Sequence, residues 1–308
     1  FKSPFPIFLK VLFTFSILPA YEYSVMSRNY GISMLVMFTY ASLYKNRKHN
    51  LFYLCILLAL LANTNLPSLM AAGLLTILLI WDTAIEDPDN RGSKVALFFG
   101  LLGLILIAGF FSLLTIKPDD RSLLTTANHV KPISEYWISV RAAFLNLESN
   151  LIHFFPEGPG LFQRLLPQLF VWLSIIGLKN QKRLALCLFF YFLSFGFLQH
   201  YAYPMALRHE GIGFIFIITL YWISCSDPKE NNEFKLDMRW IFIYILMPVI
   251  LVWGNVKAYK AIMRDINHPV SSSKDLGQFL SNKPEYKGAT LIGEPDYLFE
   301  IGRASCRE

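Results

Sequence analysis

The residues of this sequence able to do chemistry gather in three short stretches. The first is Tyr21-Glu22-Tyr23-Ser24-Val25-Met26-Ser27-Arg28-Asn29-Tyr30, and the second is Asn63-Thr64-Asn65. The third runs from Gln199-His200-Tyr201 through Tyr203-Pro204 to Arg208-His209-Glu210-Gly211. Arg28 and Arg208 each carry a planar fork of donors that matches the oxygens of a phosphate. His200 and His209 can act as acid, base or metal ligand. Glu22 and Glu210 can accept or return a proton, and Asn63 and Asn65 extend the polar surface. Each residue also has a plainer use. Tyrosine belts anchor membrane proteins, and an isolated external arginine often meets only lipid headgroups. A long segment from Lys117 to Arg164 adds His129, Glu135, Glu148, His153 and Glu157, of which His129 and His153 read as loop residues. The sequence has no phosphate-cradling glycine loop, no Gly-x-Ser-x-Gly elbow and no His-Glu-x-x-His pair. No cofactor is indicated, although a divalent metal stays open, and nothing points to nucleic acid.

What positions these residues is a set of apolar helices. The 308 residues are 54% hydrophobic and only 16% charged, with mean hydropathy +0.42, against roughly 25% charged in an ordinary soluble domain. The apolar residues come in long runs such as Val95 to Ile116, Leu184 to Leu198 and Trp240 to Val256. In lipid every backbone polar group must be bonded internally, so such runs must be helices. The expected fold is an all-α polytopic membrane protein with about nine transmembrane helices, at 5–20, 30–44, 51–63, 66–81, 95–116, 165–178, 184–199, 212–225 and 240–256. Lys10 is the main ionisable residue within these runs and can snorkel to an interface. The scarcity of carboxylates there counts against an ion-coupled pump or symporter.

The connections alternate in charge. One set carries Lys45, Arg47 and Lys48; then Arg91 and Lys94; then Lys179, Lys182 and Arg183; then Lys229, Lys235 and Arg239. The connections between them, near 21–29, 64–65 and 200–211, carry only Arg28 and Arg208. The positive-inside rule places the first set in the cytoplasm and the three polar stretches on the outer face. The alternation requires a break at Asn63-Thr64-Asn65-Leu66-Pro67, since one helix over 51–81 would span about 46 Å, too long for a single crossing.

Two further segments are external on this topology. Ile133, Trp137, Val140, Phe144 and Leu147 recur every three or four residues, one face of a helix lying on the membrane surface or packed on the bundle. After the last span, 271–280 reads as a capped helix and 289–293 as a short strand, the start of an external α/β domain over 257–300. The bundle then occupies 1–256, including the external loop 117–164. The opening at Phe1 inside an apolar run reads as a chain lacking its N-terminal part. The tail Ile301-Gly302-Arg303-Ala304-Ser305-Cys306-Arg307-Glu308 matches, codon by codon, a translated sequencing adapter, and so has no part in the fold. Cys55, Cys187 and Cys225 lie in or beside apolar runs, which argues against a disulfide framework.

With these residues in view, the chain resembles the GT-C membrane glycosyltransferases, the superfamily of polyprenyl-phosphate-sugar-dependent, protein mannosyltransferase-like enzymes. The likeness rests on Tyr21-Glu22-Tyr23 followed by Arg28-Asn29-Tyr30-Gly31 opening a span, and on Leu61-Ala62-Asn63-Thr64-Asn65 closing one. Tyr203-Pro204-Met205-Ala206-Leu207-Arg208-His209-Glu210-Gly211 and the tail Gly293-Glu294-Pro295-Asp296-Tyr297 are similar to it as well. The resemblance implies transfer of a sugar from a polyprenyl-phosphate donor to a glycan, lipid or protein acceptor, on the outer face of a bacterial cytoplasmic membrane. It makes Arg28, Tyr30, Arg208 and His209 donor- or phosphate-binding candidates. Glu22, Asn63, Asn65, His200 and Glu210 become a wider polar site. The family's catalytic carboxylate lies in an earlier external loop, so no catalytic residue is assigned and the chain as given is expected to be inactive alone. The competing class is a transporter or flippase for a lipid-linked sugar, which would use the same outer surface without chemistry.

Overall fold

A computed structural model describes residues 3–25, 29–86, 103, 110, 138, 141, 151, 153–155, 161–201, 206–226, 237–267, 278–279 and 282–283. The chain divides into two units, Phe1–Ala258 and Tyr259–Glu308. Among the described residues all regular structure is helical and there is no strand. The helices are α1 (Ile7–Thr14), α2 (Tyr23–Val25), α3 (Tyr30–Tyr44), α4 (Arg47–Ala62), α5 (Leu66–Glu86), α6 (Leu161–Gly177), α7 (Lys182–Tyr201), α8 (Leu207–Ser226) and α9 (Met238–Asn267).

α8 is the central helix. Every residue from His209 to Ser224 is buried, the mark of a helix that is apolar all round and surrounded by others. α3 packs on it, α4 and α5 form an antiparallel pair against α3, and α7 fills the space between α5, α6 and α8. Gly177 of α6 allows one close approach: a methyl there would collide with the Tyr221 hydroxyl of α8, which donates to the Ser174 carbonyl at 2.9 Å. Asn255 of α9 ties in α1 by donating to the Leu12 carbonyl at 2.8 Å.

The outward faces are apolar. Ile7 and Val11 of α1 and Phe15 just after it, Ile32 and Leu35 of α3, Phe52 and Leu60 of α4, and Val249 and Val252 of α9 are all exposed. A soluble protein does not leave so much contiguous apolar surface in water, whereas a bilayer accepts it. This is an all-α membrane protein.

Among the described residues, four helices have the length and apolarity to cross a bilayer, where nine spans are expected over the whole chain: Leu66–Thr83, Lys182–Gln199, Leu207–Ser226 and Met238–Asn267. Tyr30–Tyr44 and Leu165–Gly177 are apolar but shorter; the 15 residues of α3 cover about 22 Å at 1.5 Å per residue, less than a hydrocarbon core of about 30 Å. The run 5–20 is not one helix. α1 stops at Thr14, and a π-helical turn follows over Leu18–Glu22 with Pro19 at its start, where the missing N–H prevents ordinary bonding. A second π-helical stretch, Phe242–Leu246 in α9, precedes Pro248 for the same reason. The expected span at 95–116 falls outside the described residues apart from Gly103 and Phe110. Of the expected surface helix only Ile138 and Arg141 are described; both are helical and exposed. Of 271–280 only Gln278 and Phe279 are described, and the expected strand at 289–293 lies outside.

The helix ends meet in two groups. At one end α5 carries Asp82, fully buried, against Arg183 of α7 at 2.5 Å and Arg47 of α4 at 3.9 Å, while Tyr44 of α3 donates to it at 2.8 Å. In the first turn of α9, Arg239 donates to the carbonyl and hydroxyl oxygens of Ser224 at 3.1 and 3.2 Å, and Gln181 donates to the same carbonyl at 3.2 Å. At the opposite end of α3, Ser33 donates to the Thr64 hydroxyl at 2.8 Å and accepts from Asn65 at 2.9 Å, and Asn29 donates to the Thr64 carbonyl. Asp82 corrects the sequence reading. It marks the start of a loop there, but α5 continues to Glu86 and draws the carboxylate inside, where two arginines compensate it.

Candidate functional site

The first turn of α8 collects most of the candidate residues. Ala206 precedes the helix, and its N–H donates to His209 Nδ1 at 3.0 Å. The third residue of the helix thus reaches back to the entry residue, as in a capping box, with imidazole in place of a carboxylate. His209 is buried and meets the Tyr30 ring edge-on at 5.5 Å and 86°. Tyr30 in turn stacks on Tyr23 at 5.9 Å and 15°. Tyr23 donates its hydroxyl to the Arg208 carbonyl at 3.1 Å. Burial raises that hydroxyl's pKa well above its ordinary value, so it acts as a neutral donor. Gly211 permits this packing, since a methyl would strike the Tyr23 hydroxyl and Leu18.

Arg208 and Glu22 form the charged part of this wall. Burial raises the Glu22 carboxyl above its ordinary value, and the Arg208 guanidinium draws it partly back. Arg208 Nε is buried and has no hydrogen-bond partner among the described residues. A buried guanidinium donor without a partner is costly, and a phosphate or sugar oxygen is the kind of acceptor that would relieve it.

Glu210 leaves the same turn on another face and makes a second cluster. Its side chain is 0% exposed, and Oε1 lies 2.6 Å from Nδ1 of His153, whose side chain is 50% exposed. Glu210 Oε2 accepts the His153 backbone N–H at 3.0 Å. Lys257 of α9 donates to the His153 carbonyl and, at 3.1 Å, to the Phe155 carbonyl. Leu151, Phe154 and Phe155 are buried around it. The ring, the N–H and the C=O of one histidine are therefore each held by a charged side chain, and half of that histidine still faces outward. A carboxylate on Nδ1 fixes the tautomer that makes Nε2 the basic nitrogen.

Of the residues expected from the sequence, the fold brings together Glu22, Tyr30, Arg208, His209 and Glu210. Asn65 and Asn63 are separate and have structural uses. Asn65 accepts the Ser68 N–H at 3.0 Å, capping α5, and Asn63 folds back on the Ala59 carbonyl at 2.8 Å. His200 lies in α7, with its side chain outside the described residues, and Arg28 lies outside them altogether. His153 corrects the reading as a plain loop residue, and Lys257, just beyond the expected end of the last span, was missed. The usable signal was Glu210 itself: a carboxylate opening a central helix needs a partner, though nothing local names one 57 residues away. Among the described residues no three His, Cys, Asp or Glu side chains converge as a metal site. Comparison of the chain with protein-family models, with curated proteins and with solved structures gave no match in any of the three.

Proposed function

We propose that this chain is part of a membrane glycosyltransferase of the GT-C type, moving a sugar from a polyprenyl-phosphate donor to an acceptor on the outer face of a bacterial cytoplasmic membrane. One observation carries the reading: the mouth of the central helix holds Arg208, whose buried Nε has no hydrogen-bond partner among the described residues, on one side and a carboxylate-held histidine on the other. Arg208, with Arg28 from the adjoining stretch, would hold the donor phosphate and stabilise charge as it leaves. Tyr30, stacked on Tyr23, gives that phosphate an aromatic floor. His153 would take the proton of the acceptor hydroxyl as its oxygen bonds to the anomeric carbon. The bond from that carbon to the phosphate oxygen breaks, and polyprenyl phosphate departs with the electron pair.

The nine-span topology, with its external surface helix and the start of an external α/β domain after 257, belongs to this proposal, as does the outward direction of the α8 mouth. Its support is the sorting of helix ends: the ends rich in arginine in the sequence meet around Asp82 and Ser224, and those poor in it meet around Tyr23 and Thr64.

The experiment follows a donor labelled in its sugar in proteoliposomes carrying the chain. Label passing to an acceptor, and lost in His153→Gln, supports the transferase. Label crossing to the other leaflet while still on the lipid supports the transporter. With His153 as the base the chain should be active by itself, unlike the expectation from the family resemblance, so the absence of both events overturns both readings.

A further inference from the structure

A cleft opens among the same helices that carry the α8 mouth. α1, α3, α8 and α9 enclose a cleft of about 400 Å³ lined by Leu9, Phe13, Met34, Phe38, Trp222 and Leu251, with Lys10 on its wall. The volume is that of a small-molecule site, about 300–1,000 Å³. Its position along the membrane follows from the aromatic residues around it. Phe5 meets Trp222 edge-on at 6.5 Å, Phe8 lies 6.4 Å from Tyr244, and Tyr244 lies 5.7 Å from Trp240. Arg239 lies over the Trp240 ring at 5.3 Å. Tryptophan and tyrosine rings collect at the membrane–water interface, and the Phe5 and Trp222 end of the cleft lies toward these rings, on the side of Ser224 and Arg239.

In a bilayer the molecule that fills such a space is a lipid chain, and the chemistry of the lining selects its headgroup. Phenylalanine, leucine, methionine and tryptophan carry no preference among headgroups. Lys10 adds one compact positive charge to the wall, on a stem long enough to reach from the apolar zone toward the interface. We infer that the Lys10 cleft is a binding site for an anionic diacyl phospholipid, with one acyl chain between α1, α3, α8 and α9 and the phosphate held by the Lys10 ammonium. Apart from Pro19, on the turn that carries Glu22, the cleft shares no lining with the α8 mouth, and the assignment does not depend on the function of that mouth.

The test is lipid retention by the whole chain. Protein is taken from nanodiscs of equal parts phosphatidylglycerol and phosphatidylcholine, and tightly held lipid is counted by native mass spectrometry. One Lys near a membrane surface gives an anionic lipid roughly 5-fold preference. Retention of phosphatidylglycerol over phosphatidylcholine by about that factor is expected, kept in Lys10→Arg and lost in Lys10→Gln. Met34→Trp, which fills the cleft, should reduce retention of both lipids. Thermal melting identifies any variant that fails to fold, and the Arg and Gln pair then carries the comparison. Equal retention of the two lipids, or a preference untouched by Lys10→Gln in folded protein, would overturn the assignment. So would recovery of an isoprenyl phosphate as the lipid that depends on Lys10.

Discussion

The bond between His153 and Glu210 can be weighed by a double-mutant cycle. Glu210→Ala removes two contacts to one residue, the ring bond at 2.6 Å and the backbone bond at 3.0 Å. A hydrogen bond to a charged group contributes roughly 1.5–3 kcal/mol, and removing one partner of a buried pair costs about 3–5 kcal/mol. Relief from burying the Glu210 carboxylate works the other way, so about 3 kcal/mol of net destabilisation is expected. His153→Ala removes only the ring bond but leaves the carboxylate buried beside a void, and a loss of about 2 kcal/mol is expected because the ring is half exposed. The double variant loses the shared bond once, so its cost should fall short of the sum by about 1–2 kcal/mol. The assay is denaturant unfolding of the detergent-solubilised chain, with Lys257 unchanged so that the His153 carbonyl keeps its hold. Additivity within about 0.5 kcal/mol would refute the reasoning, because it would mean that the two side chains do not meet.

Other consequences follow from the same structure. Asp82→Asn leaves Arg183 and the buried Arg47 facing a neutral amide and should cost about 3–5 kcal/mol, read as a fall in melting temperature; Asp265→Asn, where the partner Arg264 is exposed, should stay within about 0.5 kcal/mol. Burial raises the Glu22 carboxyl pKa in the folded chain, so the folded state holds its proton to higher pH than the unfolded state does. The resulting stability is fully present below the unfolded pKa and is lost as pH rises through the folded value. Melting temperature followed upward from acid pH should therefore decline more steeply in the native chain than in Glu22→Gln, and parallel curves would remove burial as the cause. With the native cysteines replaced, a cysteine at Asn63 should react with an impermeant reagent in intact cells while one at Asn180 is protected; the reverse pattern would invert the proposed topology.

The helical class and most helix positions were legible because lipid demands long apolar runs, and such runs show in one dimension. The turn at Asn63-Thr64-Asn65 was legible from loop charge and from the excess length of an unbroken helix, and Asn65 caps the next helix. The failures have physical causes. Pro19 and Pro248 convert helix to π-helical turns that hydrophobicity does not register. Asp82 looked like the end of a span because its compensating charges come from Arg47 and Arg183, far away in sequence. His153 looked like a loop residue because its three holds come from two helices that begin more than fifty residues later. The sequence picked out Arg208, His209 and Glu210 as a polar group, but not that each goes a different way. His209 turns inward to cap its helix, Arg208 faces Glu22, and Glu210 grips His153.

Binding of undecaprenyl phosphate to the chain in phosphatidylcholine nanodiscs, compared between the native protein and Arg208→Ala, bears most directly on the phosphate-lipid site at the α8 mouth. Loss of one charge-assisted contact from the buried Nε of Arg208 should weaken binding roughly 10- to 100-fold. Arg208→Lys should recover only part of this, since it restores the charge without the fork, and Lys10→Gln should leave the affinity unchanged. Native affinity in a well-folded Arg208→Ala protein would contradict the phosphate role of this site.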